Sequence, residues 1–478
     1  MGTLSQLRRR DASPGVVLAI VSAAVVMASL DLFIVNVALP DLTRDLDSDL
    51  GALSWVLNGY AIVYAALLVL FGRMAERRSR ESGFLLGVLI FTLASALCGA
   101  ATSVEMLVAA RILQAAGAAL LTPTSLGLVL ATAPPEKRQS SVRAWTAVGG
   151  VAAALGPVAG GLLVEASWRW VFLVNVPVGL AALYVGWRRL PNVPGHPVPL
   201  PDALGAGLLT AGVAGLTLAL VQGGDWGWGS TATVGILAAS LALLAAFALH
   251  CARARNPLVE PALFRAAGFT GASVVMTLFS VAFGAMLLSI VLWGQDVWGW
   301  SALETGLAVA PGPLMVPLFS FLVAGRLIAR FGPGPVAALG CTSLAAGLAW
   351  WAAAASAAPD YVGTVLGGML LTGVGVGLTL PTLMATAAGS LPPQSFATGS
   401  AVVNMLRQVG LALGVALFVA IVGTPGSAEE ARDVFATGWT VLAAVSAAGA
   451  VAAAVLLRPR RPAPVPVTSR EAAAAADA

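Results

Sequence analysis

The sequence predicts an all-α polytopic membrane protein of fourteen spans, arranged as two six-helix bundles plus two inserted helices. Three observations predict it. Of 478 residues, 58% are hydrophobic and 10% charged, against about 45–50% and about 25% in soluble domains. Apolar runs of about 20 residues, the length a helix needs to cross a bilayer, recur from end to end. Finally, Gly and Pro signatures at and after span 4 return at and after span 12 at one constant offset. This composition excludes a soluble, disordered, collagenous or disulfide-scaffold protein.

The elements follow in order. Residues 1–15 are read as a cytoplasmic N-terminus carrying Arg8, Arg9 and Arg10. The next apolar run is too long for a signal-peptide core and lacks a small-residue cleavage site, so it is an uncleaved first span. Spans are expected at 16–39, 52–71, 83–103, 106–131, 142–164 and 170–187, an N-terminal bundle over 16–190. The linker and inserted spans 7 and 8 occupy 191–252, with spans at 203–222 and 231–251. The C-terminal bundle, 253–457, holds spans at 269–294, 303–324, 336–357, 361–386, 398–422 and 434–456. Residues 458–478 are basic, then Pro-rich, then Ala-rich, and read as a disordered cytoplasmic tail near anionic headgroups.

An even span count puts both termini on one side. The basic residues choose the side. Arg8–Arg10, Arg73–Arg80, Lys137–Arg143, Arg188–Arg189, Arg253–Arg265, Arg326–Arg330 and Arg458–Arg470 crowd the loops shared with the termini. Only Arg44, Arg169 and Arg432 lie opposite. The positive-inside tendency then places both termini in the cytoplasm and the chain in the cell membrane. It also explains the net charge of +4 without nucleic acid. Cys98, Cys251 and Cys341 are widely spaced, and His196 and His250 fall at loops or span ends. No metal site, disulfide framework or cofactor is expected.

The repeat pairs particular spans. Gly72-Arg73 after span 2 returns as Gly325-Arg326 after span 10. Gly117, Pro123-Thr124 and Pro134-Pro135 return as Gly375, Pro381-Thr382 and Pro392-Pro393. Parallel repeats of this kind are a transporter architecture.

Ionisable groups inside spans are costly, about 2.5–3.5 kcal/mol at the centre on insertion scales, and mark functional candidates. Asp31 lies in span 1 and Arg111 in span 4. At 1.5 Å per residue they sit about 13 Å and about 8 Å below the outer surface, close enough to share a layer. Burial favours the neutral acid and a guanidinium the carboxylate, so Asp31 is either a proton site or half of a fixed structural pair. The repeat position of Arg111 is Met369, which puts ion coupling in the first half. Arg407 lies inside span 13 without an acidic partner in a span; packing, a backbone carbonyl, cavity water or an anionic group of a substrate are its open roles. Asn36, Trp55, Tyr60, Tyr64, Gln114 and Gln295 are further cavity candidates by position, with packing, interfacial or lipid-facing roles as the alternative. Asp296 and Glu304 are placed at the interface. Span 5 carries Gly149-Gly150 and Gly156-Pro157-Val158-Ala159-Gly160-Gly161; it is either ordinary close packing or a bundle-to-bundle contact that rocks.

Together these residues resemble the major facilitator superfamily, and within it the fourteen-span drug:proton antiporter branch. The segment Asp31 to Pro40 is similar to that branch's first-span motif, and Trp55 and Tyr60 fit its second span. Arg111-Ile112-Leu113-Gln114 resembles the fourth-span motif, whose arginine is tied to proton transfer. Gly156, Pro157, Gly160 and Gly161 resemble the antiporter motif. Trp168 to Gly179 and Arg407-Gln408-Val409-Gly410 follow as in the branch. Gly72, Arg73, Glu76 and Arg77 resemble the cytoplasmic gating loop. The resemblance covers about 16–456. The chain departs from it at Ala152, Glu76, Ser79 and Ala329, which stand where glycine, aspartate, glycine and an acid are usual.

The resemblance implies a major facilitator fold and a monomeric, non-enzymatic transporter. It would export amphipathic small molecules or drugs, cationic ones included, in exchange for protons. A proton-coupled importer of a small metabolite is the alternative on the same fold. A polytopic membrane enzyme is the rival class, but the sequence holds no His-rich, Cys-rich or paired-carboxylate constellation and no phosphate-binding Gly loop.

Overall fold

The computed structural model describes residues 12–77, 79–194, 202–392 and 395–457. Arg8–Arg10, Arg78, His196, Pro393 and the 458–478 tail lie outside the described residues. Among the described residues there are fourteen long helices and no strands: α1 Pro14–Asp45, α2 Leu50–Arg77, α3 Arg80–Gly99, α4 Val104–Thr132, α5 Arg138–Val164, α6 Trp170–Arg189, α7 Ala203–Trp226, α8 Thr231–Arg253, α9 Ala267–Val297, α10 Ala302–Phe331, α11 Pro333–Ala354, α12 Tyr361–Gly389, α13 Phe396–Val422 and α14 Ala428–Leu456. Thirteen are long and apolar enough to cross a bilayer. The remaining one, α5, adds the shorter apolar stretch Leu155–Val164 to a 27-residue helix whose first turns hold Arg138, Ser140, Ser141 and Arg143. Long helices α7 and α8 occupy 203–226 and 231–253, where the inserted spans are expected, and thirteen of the fourteen expected spans meet the length and apolarity a bilayer crossing needs.

Local chemistry explains where helices start and stop. Ser103, Asp202, Ser230 and Ser427 each accept from the backbone N–H three residues on, and Ser301 with Glu304 closes a capping box at the start of α10. Such caps satisfy amides that a helix start leaves open. Gly332, at φ +82°, breaks α10 from α11, a conformation that favours glycine. Pro317 removes one hydrogen bond from α10, and a wide π-type turn follows at Phe319–Ala324. The segment Gly72–Arg77, read as a loop, continues α2 as helix.

The repeat is visible in the packing. Helix α1 packs on α5, α2 on α4, and α3 on α4 and α6; α9 packs on α13, α10 on α12, and α11 on α12 and α14. The glycines singled out by the repeat do the same work. A Cβ at Gly117 would meet the Phe91 backbone nitrogen at 2.5 Å, and one at Gly375 the Leu344 nitrogen at 2.7 Å. Each glycine thus lets α4 seat on α3, or α12 on α11, at backbone contact. The halves meet along α2 with α13 and α5 with α10, and α7 lies against both α2 and α13. Helix α8 touches mainly α7 and exposes most of its apolar surface.

Candidate functional site

Asp31 is the one ionisable residue of span 1, so the fold must answer a carboxylate where water is scarce. It does so with three donors from two helices, α4 and α6. Arg111 Nη1 of α4 donates to Asp31 Oδ2. Gln114 Nε2, one turn further along α4, donates to Asp31 Oδ1 at 2.9 Å, and Asn175 Nδ2 of α6 donates to the same oxygen at 3.0 Å. Both Asp31 and Arg111 are 0% exposed. Burying two charges is repaid only when attraction and further hydrogen bonds are well placed.

The guanidinium is held as tightly as the acid. Arg111 Nε donates to the Val56 carbonyl of α2 at 3.1 Å, and Nη1 also reaches Gln114 Oε1. Its carbon lies 4.2 Å from the Tyr60 ring centroid, within cation–π range. Gln114 Nε2 reaches Ser95 Oγ of α3 at 2.8 Å, which fixes the amide that faces Asp31. Arg111 Nη2 is buried without a partner. In the second half the repeat position, Met369, is buried and packs against Gly312. An apolar side chain there needs no such shell.

Between the halves runs a narrow cleft. Asn36 of α1, Asn58 of α2, Arg111, Phe283 of α9 and Leu411 and Val415 of α13 are among its walls. With the solvent space at its mouth it measures about 490 Å³. The wall is mostly apolar with a few polar groups, as small-molecule sites are. The acid therefore sits inside the first half, and its partner Arg111 forms part of the wall.

The other sequence candidates divide. Asn36 lines the cleft. Tyr60 is buried over Arg111 and stacks on Tyr64 at 6.0 Å, while Tyr64 hydroxyl donates to Thr122 Oγ1 at 3.2 Å. Gln114 belongs to the acid's shell rather than to the cleft wall. Trp55 packs partly buried against the core. Gln295 donates to the Val37 carbonyl at 3.1 Å, tying α9 to α1 toward the face opposite the termini. Arg407 lies on α13 with Tyr64 as its electrostatic neighbour.

Span 5 makes contacts on two sides. A Cβ at Gly156 would meet Phe33 Cβ at 2.9 Å and one at Gly160 the Ile34 carbonyl at 3.0 Å, both on α1. A Cβ at Gly161 would meet the Ala302 carbonyl at 2.7 Å, and one at Gly306 the Pro157 carbonyl at 2.6 Å. The seam of α5 with α10 is thus a bundle-to-bundle contact. At the termini-bearing face, Arg73 pairs with Glu260 of the α8–α9 connector at 2.7 Å. Arg77 is exposed.

Sequence reasoning missed Asn58, Ser95, Asn175 and Glu260. A mid-span amide carries the same cost argument as a mid-span charge, and applying it would have found Asn58; Asn175 stood in a quoted motif without a role. Glu260 had no signal, since its partner lies 187 positions away.

Comparison with known proteins agrees with the geometry. The family model described as Major Facilitator Superfamily matches residues 21–415 and 274–477. The tetracenomycin C resistance and export protein of Streptomyces glaucescens is 33% identical over 421 residues, covering 88% of this chain and 77% of that one. The methylenomycin A resistance protein of Streptomyces coelicolor is 32% identical, covering 85% and 86%. A puromycin resistance protein of Streptomyces alboniger is 36% identical, covering 84% and 80%. Among solved structures, a bacterial homologue of the lysosomal transporter Spinster, inward-facing and unoccupied, aligns with a TM-score of 0.67 at 17% identity, covering 94% and 99%. That likeness concerns the fold. With thirteen long apolar helices and relatives named for resistance and export, the chain belongs to the major facilitator superfamily and is a multi-pass membrane transporter of small molecules, not an enzyme.

Proposed function

We propose that the chain is an exporter in the cytoplasmic membrane, with both termini cytoplasmic, that exchanges an amphipathic small molecule for protons by alternating access. The observation that carries this reading is the buried Asp31 whose chief partner, Arg111, also walls the cleft between the halves. All of the acid's partners are donors, which suits the ionised carboxylate. A proton arriving on Asp31 would cancel its pull on Arg111 and release a guanidinium beside the cleft. Proton and cargo then act on one side chain, and a ligand shifts two conformers only through such a differential interaction.

The names of the relatives support outward transport of drug-like cargo, and the basic loops on the termini-bearing face support the orientation. One charge crossing 100 mV is worth about 2.3 kcal/mol, enough to drive uphill export when coupled. The seam of α5 and α10, closed by Gly161 and Gly306, is the contact about which the halves would rock. The Arg73–Glu260 pair would latch the cytoplasmic side.

The test uses purified protein in vesicles with an imposed pH gradient and a panel of amphipathic fluorescent dyes. Accumulation that tracks the gradient in the native protein, and its loss in Asp31→Asn at equal incorporation, is expected. Gradient-driven accumulation that persists in the variant removes Asp31 from the mechanism.

A further inference from the structure

We infer that Arg407 receives an anionic group of the cargo, so that the cleft selects amphipathic carboxylates over their neutral and cationic analogues. The inference rests on the cleft being the cargo route. Its first support is position. Leu411 and Val415 of α13 line the cleft, and Arg407 lies one helical turn below Leu411 on the same stripe. On α2, Asn58 and Ala61 line the cleft, and Tyr64 lies one turn below Ala61 on that stripe. Both shifts run toward the termini-bearing face, and Arg407 and Tyr64 are electrostatic neighbours. Both positions carry the cleft-lining stripes one turn further toward that side.

The second support is an unmet need. Arg407 Nε is buried with no hydrogen-bond partner. Among the described residues, no carboxylate pairs with this guanidinium, and the titratable group that acts on it is the phenol of Tyr64. The residue as a whole is half-buried, and a cargo anion would supply the acceptor that its buried Nε lacks. The planar guanidinium fork matches a carboxylate with two parallel bonds.

The third support is charge balance around the cleft. Asp31 is the acid of the site, and Arg111, Gln114 and Asn175 already occupy it. Arg111 and Arg407 together outnumber it, and Arg111 Nη2 is a second donor without a partner. A cationic cargo would meet two guanidiniums and no free acid. An acidic amphipath with its carboxylate at Arg407 would lay its apolar body along Phe283, Leu287 and Leu411.

The experiment measures binding to detergent-solubilised protein, with no gradient, so that proton coupling does not enter. The probes are 2-naphthoate, its methyl ester and 2-naphthylmethylamine, which share a ring system and differ in charge. Native protein is expected to bind the carboxylate at least about tenfold more tightly than the ester or amine. Arg407→Gln should bring the carboxylate to the level of the ester and leave the ester unchanged. Arg407→Lys should keep part of the preference. Absent carboxylate binding, a preference for the amine, or equal loss of acid and ester in Arg407→Gln overturns the inference. Should the variants not fold, the native protein's ranking of the three probes decides alone. Carboxylate-selective binding without gradient-driven transport would sink the proton-exchange reading and leave this one standing.

Discussion

Replacing Asp31 by leucine isolates what the buried ion pair contributes. The substitution removes the anion and leaves Arg111 fully buried, its Nη1 without the carboxylate oxygen and its Nη2 already unpartnered. Asn175 Nδ2 loses its acceptor as well, whereas Gln114 Nε2 keeps Ser95 Oγ. Breaking one side of a buried pair costs about 3–5 kcal/mol, most of it the penalty of the stranded charge. The second half of the molecule supplies the compensating change, because Met369 fills the equivalent place. Asp31→Leu with Arg111→Met removes both charges and should recover most of the lost stability, a coupling that a double-mutant cycle measures. The assay is thermal unfolding of detergent-purified protein followed by size-exclusion fluorescence. Asp31→Leu is expected to melt several degrees lower, and the double variant close to native. Equal melting of native and single variant would refute the buried-pair argument. So would a double variant no better than the single.

Two further outcomes follow from the packing. Gly161→Leu places a side chain against the Ala302 carbonyl, where even a Cβ would stand at 2.7 Å; overpacking costs about 1–3 kcal/mol, and here it falls on the conformer with the α5–α10 seam closed. Labels flanking this seam should report a shift toward its open form, and unchanged distances would contradict the seam's role. Asp202→Asn should loosen the inserted pair, because the carboxylate accepts from Gly205 N and Leu258 N and meets His250 Nε2 at 2.9 Å. Burial works to raise the Asp202 carboxyl, but these partners hold it below its ordinary value. Its contribution is therefore present above the unfolded-state value, about 3.9, and is lost as pH falls through the lower folded value. Amide exchange in α7 and α8 should rise in that variant at neutral pH and converge with the native protein in strong acid. A difference that grows on acidification would reverse the assigned sign.

Much of this was legible in the sequence because the bilayer permits so few solutions. Apolar runs must become helices, and all fourteen did, to within a few residues at most ends. Asp31 and Arg111 could be paired by counting residues from the membrane surface, since a helix rises regularly. Gly117 and Gly375 matched because both halves must seat one backbone against another. What could not be read was the shell. Asn175 reaches the acid from α6, and Ser95 of α3 holds the Gln114 amide, through rotamers and crossing angles that no spacing encodes; Gln114 points at the acid rather than into the cleft. Arg73 and Glu260 meet because a connector folds back beneath the bundles, a long-range contact without a local signal. Trp55 and Gln295 had suitable depth but face the core and the α1 backbone; depth follows from residue count, whereas facing depends on how each helix is rotated.

The central claim is that one carboxyl couples the proton to the cargo, and exchange assays in vesicles test it most directly. Native protein should perform both pH-driven transport and cargo-for-cargo exchange at equal pH, with 2-naphthoate as the probe. Asp31→Asn should keep the exchange and lose the pH-driven component. A variant that loses both in equal measure, or retains both, would contradict the account.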